Sequence, residues 1–242
     1  MSLFGHLEEL RKRIIVILIG IVAVALVSFG YADDILAFVT APAGKLIFTA
    51  PAEAFMTQLK LSLMVALFLT SPLILHQTAV FVWPGLRGPE RRLLTTVFFF
   101  APFLFAAGVT FGFVVALPVT YNFFIRFAAA DLQPMITVAN YLSFLISLTV
   151  PFGLVFQLPM VSWGLTRAGI IEPGLLRRQR RFALLIIAVV AAAITPPDVF
   201  SQLVMGLPLW ILYEISIVVS TVAARARLRR LESESESESE ED

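Results

Sequence analysis

Charged positions along this chain gather in short clusters, leaving five charge-poor blocks at 14–32, 61–86, 93–125, 132–166 and 182–224. A helix that crosses a bilayer needs about 20 apolar residues rising ~1.5 Å each, so every block but the last reads as one span. The last block is 43 residues long, too long for a single crossing. It contains Thr195-Pro196-Pro197-Asp198, in which the prolines remove amide donors and Asp198 is placed to cap a new helix. That segment predicts a hairpin tip. The pattern therefore predicts an all-α integral membrane protein with six spans, near 14–33, 60–84, 92–118, 140–165, 181–195 and 199–220.

The last two spans are predicted to be short. Fourteen steps separate Arg181 from Thr195, a rise of roughly 21 Å against a hydrocarbon core of about 30 Å. In the sixth, Val199 to Tyr213 supplies 15 uncharged residues before Glu214. Short spans thin the bilayer or draw flanking charges toward the interface. At the other end, Leu3, Leu7, Leu10 and Ile14 form one apolar stripe, which predicts a short interfacial helix leading into the first span. The apolar run from Ile14 to Ala32 is 19 residues and is preceded by Glu8 and Glu9. It is too long for a cleaved signal's apolar core of about 7–15 residues, so it reads as a retained span.

Composition agrees with this picture. The 242 residues are 59% hydrophobic and 14% charged, with a mean hydropathy of +0.90, whereas soluble domains carry about 25% charge. The net charge of +1 hides a segregation, because Glu232, Glu234, Glu236, Glu238, Glu240, Glu241 and Asp242 crowd the end. With those seven acids set aside from the 17, the body holds 18 bases against 10 acids, a net +8. Residues 231–242 are predicted to be a disordered acidic cytoplasmic tail, and 1–230 a single membrane domain. Of the 18 bases, 15 fall in the segments that lie inside when the N-terminus is cytoplasmic; Lys45, Lys60 and Arg126 fall outside. Both ends are therefore predicted to be cytoplasmic.

Several polar residues lie where lipid makes them costly. Glu9 stands four residues before Arg13, the spacing of an ordinary helical ion pair worth ~0.2–0.5 kcal/mol. Glu90 follows Pro89 and is also explained as a first-turn acid at a helix start. The other reading makes the two carboxylates a receptor for a cationic peptide, since arginine pairs bidentately with carboxylate. Phe81 and Trp83 would then supply an apolar wall, and Trp83 equally suits the interfacial aromatic belt. Gln157, ten residues before Arg167, falls near mid-bilayer, as do His76 and Gln77 before Arg87. Such side chains either bond a neighbouring helix or line a groove. Glu214 is near enough to the inner interface to snorkel.

With no cysteine and only two histidines, the chain offers no disulfide, thiolate site or Cys nucleophile. It has no Walker A loop, His-Glu-x-x-His motif or Gly-x-Ser-x-Gly elbow. No enzyme, cofactor, metal or nucleic-acid reading follows. A solute or ion transporter, motivated by His76, Gln77, Gln157 and Glu214, is the alternative from another class.

Five stretches, in order along nearly the whole chain, carry a resemblance to the TatC family of twin-arginine translocase proteins. They are His6-Leu-Glu-Glu-Leu-Arg-Lys-Arg13, Ala41-Pro42, Pro84 through Glu90-Arg91-Arg92, Tyr141-Leu-Ser-Phe144 and Thr195-Pro-Pro-Asp-Val-Phe-Ser-Gln202. The resemblance implies a receptor, in the bacterial inner membrane, for folded proteins bearing twin-arginine signal peptides. It implies export driven by the proton-motive force, self-association in a receptor complex and single-span partner subunits of the TatA and TatB type. By motif it carries signal binding to Glu9, Glu90, Phe81 and Arg11, outer-side roles to Pro42 and Asp198, and partner binding to Thr195 and Gln202. The family often has a glutamate where this chain has Gln157, whose amide hydrogen-bonds but cannot titrate near neutral pH.

Overall fold

Proline decides where several of the long apolar runs stop being single helices. The computed structural model describes residues 3–82, 91–126, 135–194 and 199–241. Helix α1 (Leu3–Gly30) is continuous, so the predicted interfacial helix and first span are one element. The predicted second span begins earlier and divides into α3 (Pro51–Leu69) and α4 (Ser71–Val82), after a short α2 (Ala32–Thr40). Pro72 has no N–H for the Phe68 carbonyl, and the Ser71 hydroxyl takes that place, donating to it at 2.7 Å. Thr70 Oγ1 likewise donates to the Ala66 carbonyl at 2.6 Å. The break is thus hydrogen-bonded within the chain, as hydrocarbon requires.

The third span runs as α5 (Arg91–Phe111), one π-helical turn (Gly112–Ala116) and α6 (Leu117–Arg126). The widened turn ends just before Pro118, whose ring would crowd a regular α-turn, and the Leu117 N–H bonds to Gly112 instead. The fourth runs as α7 (Val138–Val155) and α8 (Leu158–Arg167), turning at Phe156-Gln157 ahead of Pro159. Two further helices follow, α9 (Pro173–Arg178) and α10 (Arg180–Ile194), and then α11 (Val199–Glu241). The described residues contain no sheet, only an isolated bridge between Ile47 and Thr137.

Among the described residues, five stretches are long and apolar enough to cross a membrane: Gly5–Gly30, Pro51–Leu69, Thr95–Arg126, Val138–Arg167 and Val199–Arg229. At 15 residues α10 is as short as the sequence predicts. The sixth element is not short. Helix α11 runs 43 residues, through Glu214 and on through the acidic tail to Glu241, where the composition predicts disorder. Extending an existing helix needs no new nucleus, and glutamate is a good helix former.

By their internal contacts the residues divide into two compact units, with α5 and α7 each contributing to both. In the first (Met1–Gly85 with Phe105–Gly153), α1 packs on α3 and α4. Its core includes Leu61, Leu117, Tyr141, Leu142, Leu145, Leu148 and Phe152. Gly108 and Gly112 on α5 and its π-turn meet α7 closely: a Cβ at Gly108 would stand 2.5 Å from the Phe152 carbonyl oxygen. Small residues four apart let two helix backbones touch without a hydrophobic driving force in lipid. Leu26 on α1, 72% exposed, belongs to the face left for lipid.

In the second unit (Leu86–Leu104 with Leu154–Asp242), α8 lies along α11. Ser216, Ser220 and Ala223 line the buried side of α11, and Ser220 Oγ meets Thr166 Oγ1 at 2.6 Å. Gly169, with φ +77°, ends α8. It lets the Ile170 N–H reach back to Leu165 at 2.9 Å and the Gly169 N–H to Thr166 at 3.0 Å, the paired bonds of a Schellman cap.

Candidate functional site

Two i,i+4 ion pairs sit side by side on the first turns of α1 and differ in every respect that matters. Lys12 and Glu8 lie 3.2 Å apart with side chains 74% and 67% exposed, so water and salt screen their attraction. Arg13 and Glu9 are only 19% and 23% exposed. The Arg13 Nη2 donates to Glu9 Oε1, and its Nη1 donates to Gln77 Oε1 on α4 at 3.1 Å. Arg13 Nε is buried with no acceptor among the described residues. One turn earlier, His6 stacks on Phe81 with ring centroids 4.3 Å apart and planes 23° from parallel.

Helical geometry explains this grouping. His6, Glu9 and Arg13 are three and four residues apart, so they share the face of α1 turned to α4. Gln77 and Phe81 are four apart and share the matching face of α4. The result is a shielded carboxylate bearing a guanidinium, beside an aromatic wall.

Other predicted residues are placed differently. Arg11 is exposed and sits about 200° around the helix from Glu9, so it does not join this group. Gln77, predicted to lie near mid-bilayer, is beside Arg13 at the charged end of α1, because α3 and α4 extend well past the length of one crossing. His76 is exposed on α4. Pro42 is exposed in a single 3-10 turn, Ala41–Ala43. Glu90, Trp83, Thr195 and Asp198 lie outside the described residues.

Gln157 and Glu214, predicted as intramembrane polar residues, and Gln202, predicted to bind a partner, have bonds within the second unit. Gln157 Nε2 donates to the Ala101 carbonyl at 3.0 Å, bonding a neighbouring helix rather than lining a groove. Gln202 Nε2 donates to the Ala188 carbonyl at 3.0 Å, tying α11 to α10. Glu214 accepts from Arg180 at 2.7 Å. Of the four residues that motivated a transporter, Gln77, Gln157 and Glu214 are thus held by internal partners.

One acid escaped the sequence reading. Glu53, in the first turn of α3, accepts from the Thr49 N–H at 2.7 Å and the Thr49 hydroxyl at 2.6 Å, and from the Ala139 N–H at 3.3 Å. Nearby, Tyr141 donates to the Val39 carbonyl and Tyr121 to the Ala43 carbonyl, each at 3.0 Å. The only local signal was an acid two residues after Pro51, which reads as an ordinary helix start.

The sequence profile of one family, described as Sec-independent protein translocase protein (TatC), matches residues 5–208. The chain belongs to the TatC family. It is 42% identical to the TatC of Carboxydothermus hydrogenoformans over 225 residues, covering 91% of this chain and 93% of that one. It is 36% identical to the TatC of Escherichia coli K12, covering 89% and 86%. Among solved structures it resembles a crystal structure titled as the twin arginine translocase receptor TatC. There the TM-score is 0.81 and the identity 33%, with 90% of this chain and 99% of that one covered. The TatC fold is thus present.

Proposed function

We propose that this chain is the receptor and core component of a twin-arginine protein translocase, binding signal peptides at the cytoplasmic ends of its helices. The observation that carries the reading is the Glu9 carboxylate, three-quarters shielded, already holding a guanidinium, and set beside the Phe81 and His6 rings. A carboxylate with restricted water binds arginine more strongly than an exposed one, and the planar guanidinium also stacks on aromatic faces. The TatC family supplies the kind of ligand. On this reading the work is binding, not bond-breaking chemistry.

Glu90 is proposed as the second acceptor. Each lost charge-assisted contact costs about 1.5–3 kcal/mol, so changing both acids to lysine lowers signal affinity by more than about a hundredfold. Photo-cross-linking of a twin-arginine signal to the chain in membranes tests this, and undiminished labelling of the double Glu9→Lys, Glu90→Lys variant would remove the assignment. Thr195 and Gln202 are proposed to contact single-span partner proteins beside the short α10. Cross-linkers at those positions should capture such a partner; capture of lipid alone contradicts the proposal.

A further inference from the structure

We propose that Arg13 is a built-in occupant of the Glu9 site, an internal stand-in that an incoming signal arginine displaces, and that Gln77 is the acceptor that keeps Arg13 when it leaves. The proposal rests on Glu9 being a signal acceptor and adds how that acceptor is kept ready.

The geometry carries it. Arg13 presents two of its nitrogens to two different acceptors, Glu9 through Nη2 and Gln77 through Nη1. An arginine that merely neutralised Glu9 would have no need of the amide on α4. A neutral amide oxygen is a weaker partner than a carboxylate, so it does not pull Arg13 away unaided. It does lower the cost of leaving, because the guanidinium keeps one bond at the same place. Arg13 Nε, buried without an acceptor among the described residues, shows that the guanidinium is not optimally bonded where it sits.

Charge makes the exchange necessary. Glu9 and Arg13 together are neutral, and a second guanidinium brought to one shielded carboxylate meets Arg13 as a like charge. Arg13 therefore swings toward Gln77 as the ligand arrives. Until then the acid is never left unpaired in a partly dry site, which would be costly.

The test measures binding of a fluorescent twin-arginine signal peptide to the full-length chain in lipid nanodiscs. Arg13→Gln should bind about two- to tenfold more tightly, the range set by a partly shielded helical ion pair. Gln77→Leu should bind several-fold more weakly, although that residue need not touch the peptide. In an Arg13→Gln background Gln77→Leu should have no effect, and in a Glu9→Gln background Arg13→Gln should give no gain. A residue that only props up the fold would weaken binding in both single variants. Weaker or unchanged binding by Arg13→Gln, with Glu9→Gln still damaging, overturns the proposal and leaves the receptor reading intact. Undiminished binding by Glu9→Gln instead removes Glu9 as acceptor and the proposal with it. Should Arg13→Gln insert poorly, Arg13→Met likewise removes the competing charge, and a gain in the same direction is expected.

Discussion

Gln157 sits in the turn between α7 and α8 and gives its amide proton to the carbonyl of Ala101, 3.0 Å away, one residue before Pro102. The amide therefore acts as a strut between two proline-broken elements. Gln157→Leu should lower stability by about 0.5–1.5 kcal/mol, the net worth of one such bond. Thermal unfolding followed by size-exclusion in detergent measures this. Export at permissive temperature should persist, because the residue supports and does not titrate.

Close packing at glycine makes a sharper prediction. A Cβ at Gly112 would fall 2.9 Å from the Thr149 Cα, and one at Gly108 would meet the Phe152 carbonyl, neither of which is a movable side-chain tip. Gly108→Val or Gly112→Leu should push the two helices apart, costing more than about 1–3 kcal/mol and lowering the yield of folded protein. Gly206→Ala is the matched control. Its Cβ would find only the Ile187 Cγ2 at 3.9 Å, so it should be neutral or stabilising by up to about 1 kcal/mol.

Glu53 holds three donors from two separate stretches, Thr49 and Ala139. Glu53→Gln keeps the shape but turns an N–H group toward donors, so the segment 44–50 should become more accessible. Limited proteolysis or hydrogen exchange at residues 44–50 should rise while the α5–α7 crossing stays protected. Equal protection in the variant would show that the Tyr121 and Tyr141 bonds suffice alone.

Arg180 and Glu214 join α10 to α11 in a pair that is partly open to solvent. Tyr213 and Arg177 add bonds to Leu176 and Thr221 at the same end. Reversing either charge should loosen the attachment of α9 and α10, and reversing both should restore it. A protection assay on cysteines placed at Gln179 reads the change, since the protein has no native cysteine. With screening, each single reversal should cost no more than about 1 kcal/mol.

The apolar runs and the 15-residue α10 were legible because each depends on neighbours in sequence, whereas the hairpin predicted at Thr195–Asp198 lies outside the described residues. The i,i+4 relation of Glu9 and Arg13 was legible for the same reason. Its importance was not, because a pair four residues apart looks the same whether water covers it or another helix does. The contact of Gln77 with Arg13 was not legible by counting from Arg87, since the register of α4 against α1 is set by packing. The break at Thr70 was missed although Pro72 was visible, because a hydroxyl can repair what the proline removes.

By itself the sequence determined that this protein lives in lipid, roughly how many helices it has, and which end of each carries charge. Those properties follow from hydropathy and helical rise, which act over tens of consecutive residues. Only the tertiary structure decided that the Glu9–Arg13 pair is shielded and that Arg13 reaches Gln77, that Gln157 and Glu214 already have partners, and that Gly108 and Gly112 meet α7. Those relations join residues far apart in the chain, and their existence depends on which helix faces touch and at what height. In a bilayer that choice is made by close packing and paired polar groups, neither of which leaves a periodic trace in the sequence.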